Sequence, residues 1–252
     1  MISKNELKYY SSLLKKKFRE SGKKFIVEGK KSVYEGIESD FNCEIVFVTN
    51  KFASEEIQFV KNLESRNFKV AVLKSANFKK VSDTKTPQGI AAVFEIKKNE
   101  LDLLSFDDPL LVYLENISDP GNLGTIIRTC DWFGIQNIFL SKESSEIFNS
   151  KVIRASMGSV FHVNIFEDVA LDKIAVLKKS GYEFLCSDLD GENIYDFKKG
   201  KHTLLFLANE SRGPSEKLLT IIEKKVTIPG KGKAESLNVA LASAIILAEL
   251  AK

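Results

Sequence analysis

Up to about Phe94, apolar positions alternate between helical and extended spacing. The pattern predicts a polar helix over 5–18, a short strand at Phe25-Ile26-Val27, a helix from Lys30 and a strand over 44–48. A helix over 55–66 and strands over 69–73 and 90–94 complete a small α/β unit. The stretch 95–109 is charged, contains Asp107-Asp108-Pro109 and breaks the pattern, so a domain boundary is expected there, dividing the chain into 1–98 and 107–252. From Leu110 onward, apolar runs at 110–114, 137–140, 160–166, 182–186, 203–207 and 226–228 read as strands, several of them separated by helical segments. Apolar runs of this kind predict a mostly parallel sheet covered on both faces. Ligands in such sheets bind beyond the carboxyl ends of the strands, so the loops found there are the first place to look for chemistry.

The chain has 252 residues, 44% of them hydrophobic, enough for one large domain or two modest ones. No apolar run approaches the roughly 20 residues of a membrane span, and Met1-Ile2-Ser3-Lys4-Asn5-Glu6 lacks the apolar stretch of a secretion signal, so a cytoplasmic protein without a membrane partner is expected. Cys43, Cys130 and Cys186 are far apart with no Cys-x-x-Cys spacing; neither a disulfide framework nor a metal site is expected, and each reads as a small buried hydrophobe. His162 and His202 read as structural or surface residues.

A net charge of +3 permits a polyanionic partner without requiring one, but the distribution is uneven. Lys8, Lys15, Lys16, Lys17, Arg19, Lys23, Lys24, Lys30 and Lys31 crowd the N-terminal segment, opposed by Glu6, Glu20 and Glu28. Such a cluster suits a phosphate backbone, and it equally describes a solvated helix face.

Three loops at predicted strand ends carry the candidate chemistry. After Leu114, the run Glu115 to Gly134 contains Leu123, Ile126, Ile127 and Cys130 at helical spacing, with Gly124, Arg128 and Asp131 on another side and Asn122 placed to cap the helix. Gly121 and Gly124 would allow close approach of a ligand, and Arg128 would face an anion; an ordinary capped helix with a surface arginine has the same pattern. After Leu207 comes Ala208-Asn209-Glu210-Ser211-Arg212-Gly213-Pro214, polar groups at the end of an apolar strand. After Ile228 comes Pro229-Gly230-Lys231-Gly232-Lys233-Ala234-Glu235-Ser236-Leu237-Asn238, leading into a helix that is apolar nearly all round and must be buried, in part against a second subunit; Ser236 is placed to cap it. The Gly-x-Gly here lacks the third glycine and strand-opening position of a dinucleotide fingerprint.

Taken together, the three loops resemble the motifs of the SpoU (TrmH-like) family of ribose 2′-O-methyltransferases, within the SPOUT class. Asn122 with Arg128 is similar to the first motif, Asn209-Glu210 with Gly213 to the second, and Ile228-Pro229 with Ser236-Leu237-Asn238 to the third. The segment ahead of Phe94, with Phe25-Ile26-Val27-Glu28-Gly29, is similar to the family's substrate-binding domain. The resemblance implies an α/β protein in which a small substrate-binding domain precedes a trefoil-knotted, mostly parallel methyltransferase domain, working as a homodimer whose active site draws on both subunits.

It implies an enzyme that uses S-adenosylmethionine, with no metal, to methylate a ribose 2′-hydroxyl of structured RNA, ribosomal RNA ahead of transfer RNA. A transfer-RNA enzyme, a base-nitrogen methyltransferase and a non-catalytic RNA-binding or ribosome-assembly protein of the same fold are the alternatives. Cofactor positions implied are Leu207, Ala208, Asn209, Gly213, Ile228, Gly230 and Leu237, with Ala208 standing where the family commonly has glycine. Arg128 is the implied catalytic residue, supported by Asn122, Glu210, Ser236 and Asn238. Lys16, Lys17, Arg19, Lys23 and Lys24 are the RNA-contact candidates of the basic segment, with Arg154 and Ser156 as secondary ones.

Overall fold

A computed structural model describes residues 2–97, 99–103, 105–209 and 212–252. In chain order its elements are α1 (Lys4–Ser12), α2 (Lys16–Gly22), β1 (Lys24–Glu28), α3 (Lys30–Glu38), β2 (Cys43–Thr49), α4 (Asn50–Glu55), α5 (Ile57–Ser65), β3 (Val70–Leu73), α6 (Ser75–Phe78), β4 (Ile90–Glu95), β5 (Leu110–Glu115), α7 (Pro120–Trp132) and β6 (Asn137–Leu140). They continue with α8 (Ser150–Ser156), β7 (Asn164–Phe166), α9 (Leu171–Ile174), β8 (Glu183–Asn193), β9 (Thr203–Ala208), α10 (Glu216–Leu219), β10 (Lys224–Thr227) and α11 (Val239–Leu250). Among the described residues no helix is long and apolar enough to cross a membrane.

The chain divides into two compact units, residues 1–97 with 147–161, and 98–146 with 162–252. The first holds a four-stranded sheet in the order β1-β4-β2-β3, in which β4 runs antiparallel to β1 and β2 while β2 and β3 are parallel. Two helices, α1 and α2, replace the single N-terminal one that the polar pattern predicts. The first ends in the turn through Leu13, whose carbonyl accepts a hydrogen bond from the Arg19 guanidinium at 2.9 Å. The predicted helix over 55–66 is α5, and α4, which the pattern does not predict, precedes it across Glu56. The segment 147–161 lies in sequence within the second domain yet groups with the first unit, because Phe148 and Phe161 complete its aromatic core. Their rings lie 4.3 and 6.1 Å from that of Phe25. Burying large apolar side chains contributes about 1.5–3 kcal/mol each, more than linear order can resist.

The second unit is a six-stranded, wholly parallel sheet in the order β10-β8-β9-β5-β6-β7. Its central strands β5 and β9 are buried almost throughout, which is why they read as uninterrupted apolar runs. The run 160–166 is not one strand: residues 159–161 form a short tight helical turn, and β7 starts only at Asn164. His162 lies between them, exposed and paired with Asp131 at 2.9 Å. Both predicted helix caps also move. Asp119 caps α7, accepting from the Asn122 N–H at 2.9 Å, and Asn238 caps α11, accepting from the Ala240 N–H at 2.9 Å. Gly124 is buried in α7 beside Leu123.

Cys130 and Cys186 are buried and Cys43 is half-buried. Burial pushes the thiols of Cys43 and Cys186 up to about 12 and that of Cys130 up as well, so little thiolate forms at neutral pH. Ellman's reagent at neutral pH should therefore label none of the three cysteines in the folded protein within minutes, and all three after denaturation; rapid labelling before unfolding would contradict this burial.

Candidate active site

At the carboxyl ends of β5, β9 and β8, which lie side by side, the chain becomes polar on each strand. The loop after β5 fastens the loops that follow β9 and β10. Glu115, buried at the last position of β5, accepts from the Ser215 N–H at 2.9 Å and from the Ser215 hydroxyl at 2.6 Å, fixing the far end of the loop that follows β9. Ser215 in turn caps α10. Asn116 takes the left-handed conformation, φ 58°, which asparagine tolerates better than most residues. Its carbonyl accepts from the Asn209 amide at 3.1 Å, and the Ser118 hydroxyl accepts from the same amide at 3.3 Å. The Asn122 side-chain oxygen accepts from the Asn238 amide at 3.1 Å, joining the first turn of α7 to the cap of α11.

A third wall comes from β8. Its pairing with β10 jumps from Cys186–Lys225 to Glu192–Val226, so residues 187–191 bulge out of the ladder. Gly191 is required where the bulge re-enters: a Cβ there would lie 2.7 Å from the Val226 backbone nitrogen. Asp188, in the bulge, meets Lys225 at 2.7 Å, and this hydrogen bond raises the lysine pKa above its ordinary value.

These segments enclose a cavity of about 720 Å³. Ala208, Asn209 and Gly213 line it from the loop after β9; Ile228, Gly230, Gly232, Ser236 and Leu237 from the loop after β10; and Ser187, Asp188 and Leu189 from the bulge. The size is that of a small-molecule site, and the lining mixes apolar side chains with a few hydroxyl and amide groups. A Cβ built on Gly230 or Gly232 meets nothing within 4 Å, so the space beside this loop is open, as an adenosyl group would need. Among the described residues no set of His, Cys, Asp or Glu side chains converges in a way that could hold a metal ion.

Of the positions predicted for a cofactor, Ala208, Asn209, Gly213, Ile228, Gly230 and Leu237 all line this cavity. Leu207 does not; it is buried inside β9, paired with Leu114. Ala208 ends an ordinary extended strand, so its methyl creates no backbone strain. Gly213 does have positive φ, 65°, which turns the chain toward α10. Among the predicted catalytic residues, Ser236 lines the cavity, and Asn122 and Asn238 bond each other at its edge. Glu210 lies outside the described residues. Arg128 is exposed on α7 and does not line the cavity of its own chain.

The predicted RNA contacts divide. Arg19 and Ser156 are corrections: both are buried, with the Arg19 guanidinium on the Leu13 carbonyl and the Ser156 hydroxyl donating to the Ile153 carbonyl at 3.0 Å. Neither is available to a polyanion. Lys16 lies 3.7 Å from Glu20 and Arg154 3.3 Å from Asp83. Lys24 lies 2.7 Å from Glu44, whose hydrogen bond raises its pKa. Lys17 and Lys23 are exposed.

Ser187, Asp188, Leu189 and Glu115 escaped the sequence reading. The first three carry the same signal as 208–214, polar residues at the end of an apolar run. Glu115 has no local signal, since its partner lies a hundred residues away.

The model of the SpoU rRNA methylase family matches residues 109–248, and that of an MRM3-like substrate-binding domain matches residues 4–92. A Bacillus subtilis relative, the 23S rRNA (guanosine(2553)-2′-O)-methyltransferase RlmP, is 30% identical over 78% of this chain and 77% of its own. The solved structure of a Porphyromonas gingivalis protein, described as an RNA methyltransferase of the TrmH family, superposes with a TM-score of 0.86 at 32% identity, over 99% of this chain and 98% of that one. An rRNA methyltransferase from Sinorhizobium meliloti, solved with S-adenosylmethionine bound, superposes with a TM-score of 0.85 at 27% identity, over 99% and 95%.

Replacing Glu115 by Ala would leave the Ser215 N–H without its acceptor at a half-buried site. We expect Glu115→Ala to cost about 3 kcal/mol, from two hydrogen bonds to a charged acceptor. Urea denaturation of the variant against wild type measures it, and a change below about 0.5 kcal/mol would show that the loop stands without this anchor.

Proposed function

Because the chain belongs to the SpoU rRNA methylase family, we propose that it transfers a methyl group from S-adenosylmethionine to a ribose 2′-hydroxyl of structured RNA, ribosomal RNA ahead of transfer RNA. The observation that carries this is the cavity at the carboxyl ends of β8, β9 and β10, lined by six of the residues that the motifs single out. The preference for ribosomal RNA draws on the 23S rRNA relative, and the match of residues 4–92 to a substrate-binding model supports the first domain, residues 1–98 in the linear reading, as the RNA-holding part. Cytoplasmic location fits an enzyme of that substrate.

Ala208, Asn209, Gly213, Ile228, Gly230 and Leu237 would hold the cofactor, largely through main-chain groups. S-adenosylmethionine supplies a methyl group already activated by its sulfonium, so the work left to the protein is alignment of the ribose oxygen and help with its proton. Alignment alone is worth several kcal/mol. The Arg128 guanidinium, with a pKa above about 12, is a poor proton acceptor. Its role here is to grip the RNA phosphate beside the target ribose and stabilise developing alkoxide charge, leaving the proton to phosphate or water. Ser236, with the Asn122–Asn238 pair, orients the nucleotide, and Glu210 is assigned to the same network.

A homodimer is part of this reading. Arg128 stands away from the cavity of its own chain, and α11 leaves Leu241 59% exposed beside half-buried Ala244, Ile245 and Ala248. Trp132, at the end of α7 against which α11 packs, is 82% exposed. Exposed apolar surface of this kind is what a two-fold interface covers. Arg128 of the partner subunit would then complete each cavity.

Labelled S-adenosylmethionine with separated ribosomal and transfer RNAs should give label on ribosomal RNA, mapped after digestion to a ribose; label on a base, or none, would refute the assignment. Calorimetry separates a non-catalytic RNA binder, which would take up RNA but no S-adenosylmethionine. Arg128→Ala should lose activity about 100-fold or more, the scale of one transition-state charge contact, while still binding S-adenosylmethionine. Co-refolding Arg128→Ala with Leu237→Asp tests the shared site, since only a site built from two subunits regains activity in the mixed dimer. A mixture as inactive as its parents would place Arg128 in its own chain's site.

A further inference from the structure

Charge density along the chain points to the segment around α2 as the place where RNA binds, yet the folded first unit distributes its free cations differently. Near α2, Lys16 faces Glu20, Lys24 faces Glu44 and Arg19 is buried, which leaves Lys15, Lys17 and Lys23 as the exposed cations there. A groove of about 620 Å³ opens instead between α1 and α6. Lys4 and Lys8 line it from one face of α1, a helical turn apart, and Lys80 lines it from the turn after α6. Among the described residues these three amines have no ion-pair partner, and the groove lining contains no acidic residue.

The one acid of α1, Glu6, is committed elsewhere. It accepts from the Ser3 N–H at 2.8 Å in the capping box of α1, lies 3.8 Å from Lys69, and its pKa is lowered by the hydrogen bonds from Ser3. Leu7, Ser11 and Asn77 also line the groove, the Ser11 hydroxyl donating to the Leu7 carbonyl at 2.7 Å. Lys79 is exposed beside Lys80. A concave strip of unpaired lysines with neutral polar groups beside them matches a phosphate backbone, whose binding releases counterions.

We propose that this groove, and not the α2 segment, takes the phosphate backbone of the substrate RNA. The proposal rests on the functional reading above for the identity of the polyanion. Binding is measured by fluorescence anisotropy with a labelled 23S rRNA fragment across a salt series, without methyl donor, so that the result does not depend on catalysis. Lys4→Gln/Lys8→Gln/Lys80→Gln should weaken binding about tenfold or more and flatten the slope of log K against log salt by about 2 to 3. The equal-charge control Lys31→Gln/Lys51→Gln/Lys61→Gln should change neither by more than about twofold. In turnover, the groove variant should raise KM for RNA and leave the affinity for S-adenosylmethionine unaltered, which a general loss of structure would not do.

Wild-type affinity and slope in the groove variant would overturn the proposal, as would a greater loss in Lys17→Gln/Lys23→Gln. Equal retention of poly-glutamate and RNA by the wild type would reduce the groove to an unselective polyanion site and overturn it too. If wild type binds the fragment through the groove but transfers no methyl to any RNA, the enzyme reading fails and the groove stands.

Discussion

The structure turns on how the loop after β5 satisfies the polar groups of the loops after β9 and β10. A parallel sheet delivers its strands to one edge with their last carbonyls and the following N–H groups still needing partners, and apolar neighbours offer none. Here Glu115 takes the Ser215 N–H and hydroxyl, Asn116 takes the Asn209 amide, and Asn122 takes the Asn238 amide. Because all three acceptors belong to one short stretch of chain, the two distant loops are held in a fixed relation to each other. The cavity is the space left between them, with the β8 bulge as its remaining side.

That arrangement explains why so much of the site is written in small residues and main-chain groups. A loop tied at both ends can present backbone N–H and C=O groups with little freedom left to lose, which is the condition for holding a small molecule tightly. Side chains inside the cavity need only avoid filling it: Ala208, Gly213, Gly230 and Gly232 do so by being small. At 208 the chain is extended, so the alanine methyl takes up space at the cavity wall without backbone strain.

The sequence reveals the second sheet well because buried parallel strands are apolar on both faces, and it reveals the three loops because polar residues stop those runs abruptly. It is less informative about helix ends. Asn122 and Ser236 look like caps, but Asp119 and Asn238 are equally good ones nearby, and the choice depends on where the preceding strand lets the chain turn. Charge is least informative. Arg19 and Lys17 are two residues apart and chemically alike on paper, but the bend between α1 and α2 buries one against the Leu13 carbonyl and leaves the other in water. The packing of the segment 147–161 with the first unit is hidden for a related reason: which aromatic core receives Phe148 and Phe161 is a long-range outcome that no local period encodes.

A last consequence concerns selectivity. The cavity's lining is suited to a small donor and offers little to distinguish one RNA from another, while lysines facing phosphates contribute affinity that is blind to sequence. If cations elsewhere on the chain hold the backbone, choice of nucleotide would come from shape: the target ribose would have to reach the cavity at the same time, and a folded RNA presents few riboses for which both conditions hold. An enzyme built this way discriminates by the geometry of its substrate's fold, and an unstructured strand of identical sequence would bind through its phosphates without being aligned for transfer.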